Sequence, residues 1–171
     1  MTTDRIEFSR PVPLTRLGTE PFRQEIAADE RERDALARRF DLVSLDRLMA
    51  EVTLEREAGG TIVLRATFEA AFVQECVVTL DPIGGAVAAG FALRYGPLES
   101  EPTDPDPNDE VAFEPLAGAA IDIGEAVAQE FSLALPAFPR SPDAPVEPGD
   151  DAEPPDGPLQ KLLRSVEPKR S

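Results

Sequence analysis

Cys76 is the only cysteine in this chain of 171 residues, and the chain has no histidine. A catalytic thiol needs a base such as imidazole, and a disulfide or a zinc cage needs further cysteines or histidines. Neither is present. The neighbours of Cys76 are Glu75, Val77 and Val78, so no cation adjacent in sequence lowers the thiol pKa. A small buried hydrophobe is the expected role. The remaining chemistry-bearing pair is Asp122 and Glu125. At a spacing of three they share a helix face, which suits acid–base work or Mg²⁺ binding. Both also fall in what reads as a first helical turn, where capping and the helix dipole favour acids. No serine lies in a GxSxG context, and no GxGxxG or GxxxxGK[ST] surrounds the paired glycines Gly59-Gly60 and Gly84-Gly85, which read as turns. The expectation is no catalytic, cofactor-binding or metal-binding residue, and a protein that is not an enzyme.

Charge says what such a chain can hold. The formal net charge is −16, with 17 basic and 33 acidic residues. Residues 1–65 carry 11 arginines and 13 acids, and all the rest carry 6 basic and 20 acidic residues. Nucleic-acid binding runs on Lys and Arg displacing counterions, so over most of this surface it is opposed. Direct RNA contact belongs to the first third, through Arg31, Arg33, Arg38, Arg39 and Arg47. Contact with a basic protein belongs to the second half. The opening MTTDRIEF lacks an apolar signal core and no window reaches 18 apolar residues, so a cytoplasmic protein without membrane contact is expected.

The elements that position these residues follow from periodicity. Pro11 and Pro13 make residues 6–14 an edge strand or extended arm. Residues 22–26 alternate as a short strand. Asp29 with Glu32 three residues on forms a capping-box pattern opening a helix that buries Leu36 and Phe40. Ser44 reads as the cap of a short helical turn, LDRLMA. Residues 52–57 and 61–73 flank Gly59-Gly60 as a hairpin, with Ile62, Leu64, Ala66, Phe68 and Ala70 on the apolar face. Residues 86–96 repeat the alternation after Gly84-Gly85, and 111–116 give a further short strand. Ile123, Val127, Phe131 and Leu135 recur every four residues as a second helix, capped by Asp122 and stopped by Pro136. Residues 97–109 form an acidic, proline-rich loop. The fold expected is α+β: an antiparallel sheet of about five to seven strands with two main helices packed on it. A domain over 5–140 is followed by a disordered acidic tail over 141–171, with a short amphipathic segment at 158–166.

One ordered set of motifs resembles a known family. Gln74 to Pro82 reads QECVVTLDP. Beyond an acidic loop come Glu114-Pro115-Leu116, then Ile121 to Glu125 (IDIGE), a helix, and Leu133 to Arg140 (LALPAFPR). This order over about residues 5–142 resembles the bacterial YceD family, also called DUF177, in its alphaproteobacterial form. The resemblance implies a role in accumulation of 23S ribosomal RNA and in large-subunit biogenesis, with no enzymatic activity established for the family as a whole. Many relatives carry a Cys-x-x-Cys at the first motif; here Thr79 stands where the second cysteine would be, so no metal role carries over. The expected partner is a basic ribosomal protein or assembly factor, with rRNA as the alternative. Arg31, Arg38, Arg39, Asp104, Asp106, Asp109, Asp122 and Glu125 are the candidate contact residues.

Overall fold

The structure, a computed structural model, describes residues 6–100 and 111–145. The chain divides into a unit of residues 1–141 and a unit of residues 142–171; the elements below all belong to the first.

The main sheet has five strands in the order β2-β3-β4-β5-β6. Strands β2 (Phe22–Ala27), β3 (Ser44–Arg56), β4 (Ile62–Glu75) and β5 (Pro82–Gly96) run antiparallel to their neighbours, and β6 (Ala112–Pro115) lies parallel to β5. A second, two-stranded sheet pairs β1 (Pro11–Pro13) with β7 (Ala120–Asp122), antiparallel. Two α-helices, α1 (Glu30–Arg39) and α2 (Ile123–Ala134), and two single-turn 3-10 helices (Leu14–Arg16 and Leu98–Ser100) complete the described fold. This is the α+β architecture expected, with one parallel edge.

The sheet is amphipathic because its strands alternate. Ile62, Leu64, Ala66, Phe68, Ala70 and Phe72 of β4 are buried, as are Leu48, Ala50, Val52 and Leu54 of β3, while Arg65, Thr67 and Glu69 face outward. The apolar face needs a cover, and the helices supply it. Phe131 of α2 is fully buried and meets the rings of Phe40, Phe68 and Phe72 at 5.8, 6.4 and 5.8 Å. These edge-on approaches suit the aromatic quadrupole.

Helix α1 starts as its sequence dictates. The Asp29 carboxylate accepts the Glu32 N–H at 2.9 Å, and the Glu32 carboxylate accepts the Asp29 N–H at 2.8 Å. The helix closes with Asp41 at φ 54° and the Leu42 N–H donating to the Ala37 carbonyl at 2.9 Å. Asp here takes the left-handed position that glycine usually fills.

Two local readings are corrected. Residues 45–50 are not a helical turn but the first half of β3. The register shifts between Leu45 and Arg47, so Asp46 is an extra residue and both Leu45 and Leu48 reach the buried face. A spacing of three normally signals a helix; a β-bulge produces it in a strand. Gly84-Gly85 is also no turn. Both lie inside β5, opposite Val73 and Phe72. A Cβ on Gly85 would stand 2.6 Å from the Phe72 ring, so the ring occupies the space a side chain would need. The actual hairpin connection is Cys76 to Asp81, closed by the Cys76 N–H donating to the Asp81 carbonyl at 2.8 Å.

Candidate interaction surface

The expected contact residues separate into three groups. Asp104, Asp106 and Asp109 lie outside the described residues. Asp122 and Glu125 are engaged within the fold. One Asp122 oxygen accepts the N–H groups of Gly124 and Glu125 at 3.1 Å and of Arg10 at 2.8 Å, and the other accepts the Ser9 hydroxyl. The same carboxylate therefore caps α2 and ties down the N-terminal arm. Glu125 accepts two hydrogen bonds from Arg39, at 2.9 and 2.8 Å, and Arg39 also reaches Glu7 at 3.1 Å. The hydrogen bonds with Glu125 raise the Arg39 guanidinium further above its ordinary value. In the third group, Arg31 and Arg38 are exposed on α1 and make no ion pair among the described residues.

The other arginines are mostly committed. Arg10 forks onto Glu32 at 2.7 and 2.9 Å, and that hydrogen bonding holds the Glu32 carboxyl below the usual carboxylate range. Arg33 donates to the Ala28 carbonyl at 2.8 Å, Arg47 to Glu69 at 2.8 Å, and Arg65 lies 3.8 Å from Glu55. Arg10 joins the arm to α1 through Glu32, and the arm joins α2 through Asp122. This single network was not legible locally, since its members lie up to 113 positions apart.

Cys76 is fully buried, as expected, but its thiol is not ordinary. The N–H groups of Thr79 and Ser141 each approach Sγ at 3.4 Å. The Thr79 side chain first, then the Ser141 and Thr79 amides, lower the thiol to about 7 against the opposing effect of burial. Hydrogen bonding thus does here what a nearby cation does elsewhere. The Val77 N–H donates to the Pro139 carbonyl at 3.0 Å, and Gln74 donates to the Pro136 carbonyl at 3.2 Å. The β4–β5 connection thereby holds the chain that leaves α2. Val77, Val78, Leu80 and Phe138 are exposed, and Leu80 sits at φ 62°, a left-handed conformation that costs a leucine about 1–2 kcal/mol.

The sheet face opposite the helices carries a groove of about 750 Å³ that sequence reading missed. Strand alternation placed Thr67 and Glu69 outward, but Met49 fell in the stretch read as a helical turn, and which residues adjoin depends on register. Glu25, Ala27, Met49, Glu51, Thr67, Glu69, Ala88 and Gly90 line it. Among the described residues no cluster of three or more His, Cys, Asp or Glu side chains is placed to hold a metal ion. No helix of the described residues is long and apolar enough to cross a membrane.

These features define an acidic α+β domain with one sheet face sealed by helices and the other open. The chain belongs to the YceD family: the family model described as "Large ribosomal RNA subunit accumulation protein YceD" matches residues 64–165. The match begins in β4, takes in β5, β6, β7 and α2, and extends past the described residues. It starts and ends later than the stretch read from motifs, and α1 with its arginines lies outside it. The family is named for accumulation of large-subunit ribosomal RNA and not for a reaction. No curated protein and no solved structure matches the chain.

Proposed function

We propose that this protein is a non-catalytic ribosome-biogenesis factor that supports 23S rRNA accumulation by binding a basic ribosomal protein or assembly factor in the cytoplasm. The observation that carries this reading is the disposition of its cations. The net charge is −16, and Arg10, Arg39, Arg47 and Arg65 already face carboxylates of the same chain. A surface of that kind attracts a basic protein and repels bare phosphate backbone. Family membership supplies the process; the charge supplies the kind of partner. The test is affinity purification from cells at low and high salt. Large-subunit proteins or their assembly factors are expected at low salt and are lost at high salt. A partner set without ribosomal components, or binding indifferent to salt, overturns the reading.

Direct RNA binding through the N-terminal third is the second reading, favoured by one observation. Arg31 and Arg38, seven positions apart and so on one side of α1, are exposed and make no ion pair among the described residues. Under that reading, replacing both with alanine reduces the salt dependence of RNA binding by about two in slope.

A further inference from the structure

On the sheet face opposite the helices Glu25, Ala27, Met49, Glu51, Thr67, Glu69, Ala88 and Gly90 are exposed, although Val63 at one end of that face is buried, and the relief is unusual. Over the middle of β5 the outward residues, Gly84, Ala86, Ala88, Gly90 and Ala92, are all small, with Pro82 before them and Arg94 after them. The floor is therefore low, and a partner backbone can approach it closely. Register places two rows across it: Glu25, Glu51, Thr67 and Gly90 in one, Ala27, Met49, Glu69 and Ala88 in the other. Met49 is 44% exposed at the centre. Methionine is flexible and polarizable, and suits surfaces that adapt to what they hold.

The charges on this face are not arranged for solvent alone. Glu25 and Glu51 stand directly opposite each other on neighbouring strands. Like charges so placed repel, and neither makes an ion pair among the described residues. Glu69 differs, since Arg47 meets it at 2.8 Å. A cation from outside is the complement the first pair lacks. Three inter-strand spacings of about 4.8 Å make the groove about 14 Å long. At about 1.5 Å per residue that is the length of nine to ten helical residues.

We infer that this face docks a short amphipathic helix of a basic partner protein, its apolar side over Met49 and the Ala88–Gly90 floor and a Lys or Arg between Glu25 and Glu51. The inference rests on the proposed function, which supplies a basic protein partner, and it names where that partner sits. An RNA strand would set phosphates against the two carboxylates, and a second copy of the chain would bring the same carboxylates to them.

The test uses the full chain, immobilised, with proteins stripped by high salt from purified large ribosomal subunits as the probe. The wild type retains a subset at low salt. Glu25→Gln with Glu51→Gln weakens retention about three- to tenfold, the size of losing two exposed charge contacts. Ala88→Arg, which puts bulk and like charge on the floor, abolishes it. A photo-crosslinking residue at Thr67 yields an adduct on a Lys/Arg-bearing helical peptide. Retention unchanged in both variants overturns the inference and leaves the proposed function standing. Adducts between two copies of the chain, or to RNA, overturn it too. No retention by the wild type removes the proposed function and this inference together. The glutamine pair is isosteric, so it decides the matter even where Ala88→Arg fails to fold.

Discussion

Arg39, in the last turn of α1, and Glu125, in the first turn of α2, meet through two hydrogen bonds of 2.9 and 2.8 Å across 86 positions of sequence. The forked geometry makes this the tether between the helices that seal the sheet. Arg39→Ala and Glu125→Gln each lower stability by about 1 kcal/mol, and a double-mutant cycle gives a coupling of about 0.5–1 kcal/mol, since the pair is partly solvated. Urea melts at low and high salt check it: the coupling shrinks as salt rises. Two independent, additive losses would show that the contact is not a tether.

Phe131 stands between Phe40, Phe68 and Phe72 with no exposed surface. Phe131→Ala costs about 3–5 kcal/mol, a large share of the whole stability of a domain this size. Circular dichroism and denaturant melts measure it. A cost below about 1 kcal/mol would mean that the rings do not form the centre of the core.

Gly124 sits in the first turn of α2 under the N-terminal arm, and a Cβ there would stand 2.5 Å from the Phe8 carbonyl oxygen. Backbone cannot swing aside as a side chain can, so Gly124→Ala displaces the arm and costs about 1–3 kcal/mol. Limited proteolysis near residues 8–12 speeds up accordingly. Gly118, with open space around its Cβ position, is the control: alanine there leaves the cleavage rate unchanged.

The Cys76 thiol is lowered from about 9 in the open chain to about 7 in the fold. Between those values the unfolded chain binds the extra proton, so stability rises with pH from about 7 to about 9 and the gain is lost as pH falls through 7. Melting temperatures across that range climb for the wild type relative to Cys76→Ser. Thiolate absorbance near neutral pH reports the same titration, and a midpoint near 9 would contradict it. Burial also makes the folded thiol slow to alkylate despite its acidity.

Strands and helices were legible wherever one periodicity governed a long run. Residues 61–70 alternate cleanly, and residues 123–135 repeat every four; both became the elements their patterns dictate. The capping box at Asp29 and Glu32 was readable because it is local. Residues 45–50 misled because a bulge at Asp46 imitates helical spacing. The β1–β7 ladder, the parallel setting of β6 and the Arg10–Asp122 contacts join distant segments, and no window of sequence contains both partners. The groove escaped notice for the same reason. Thr67 and Glu69 were placed outward by alternation, Met49 was hidden in the misread turn, and only register sets Glu25 across from Glu51.

The small ladder has a consequence for how the molecule is made. Strands β3, β4 and β5 are consecutive neighbours and can zip together as soon as they are synthesised. Pro11–Pro13 cannot, because its mate is Ala120–Asp122. The earlier-made strand thus waits for a much later one before it locks, and Phe8, later wholly enclosed, stays bare in the interval.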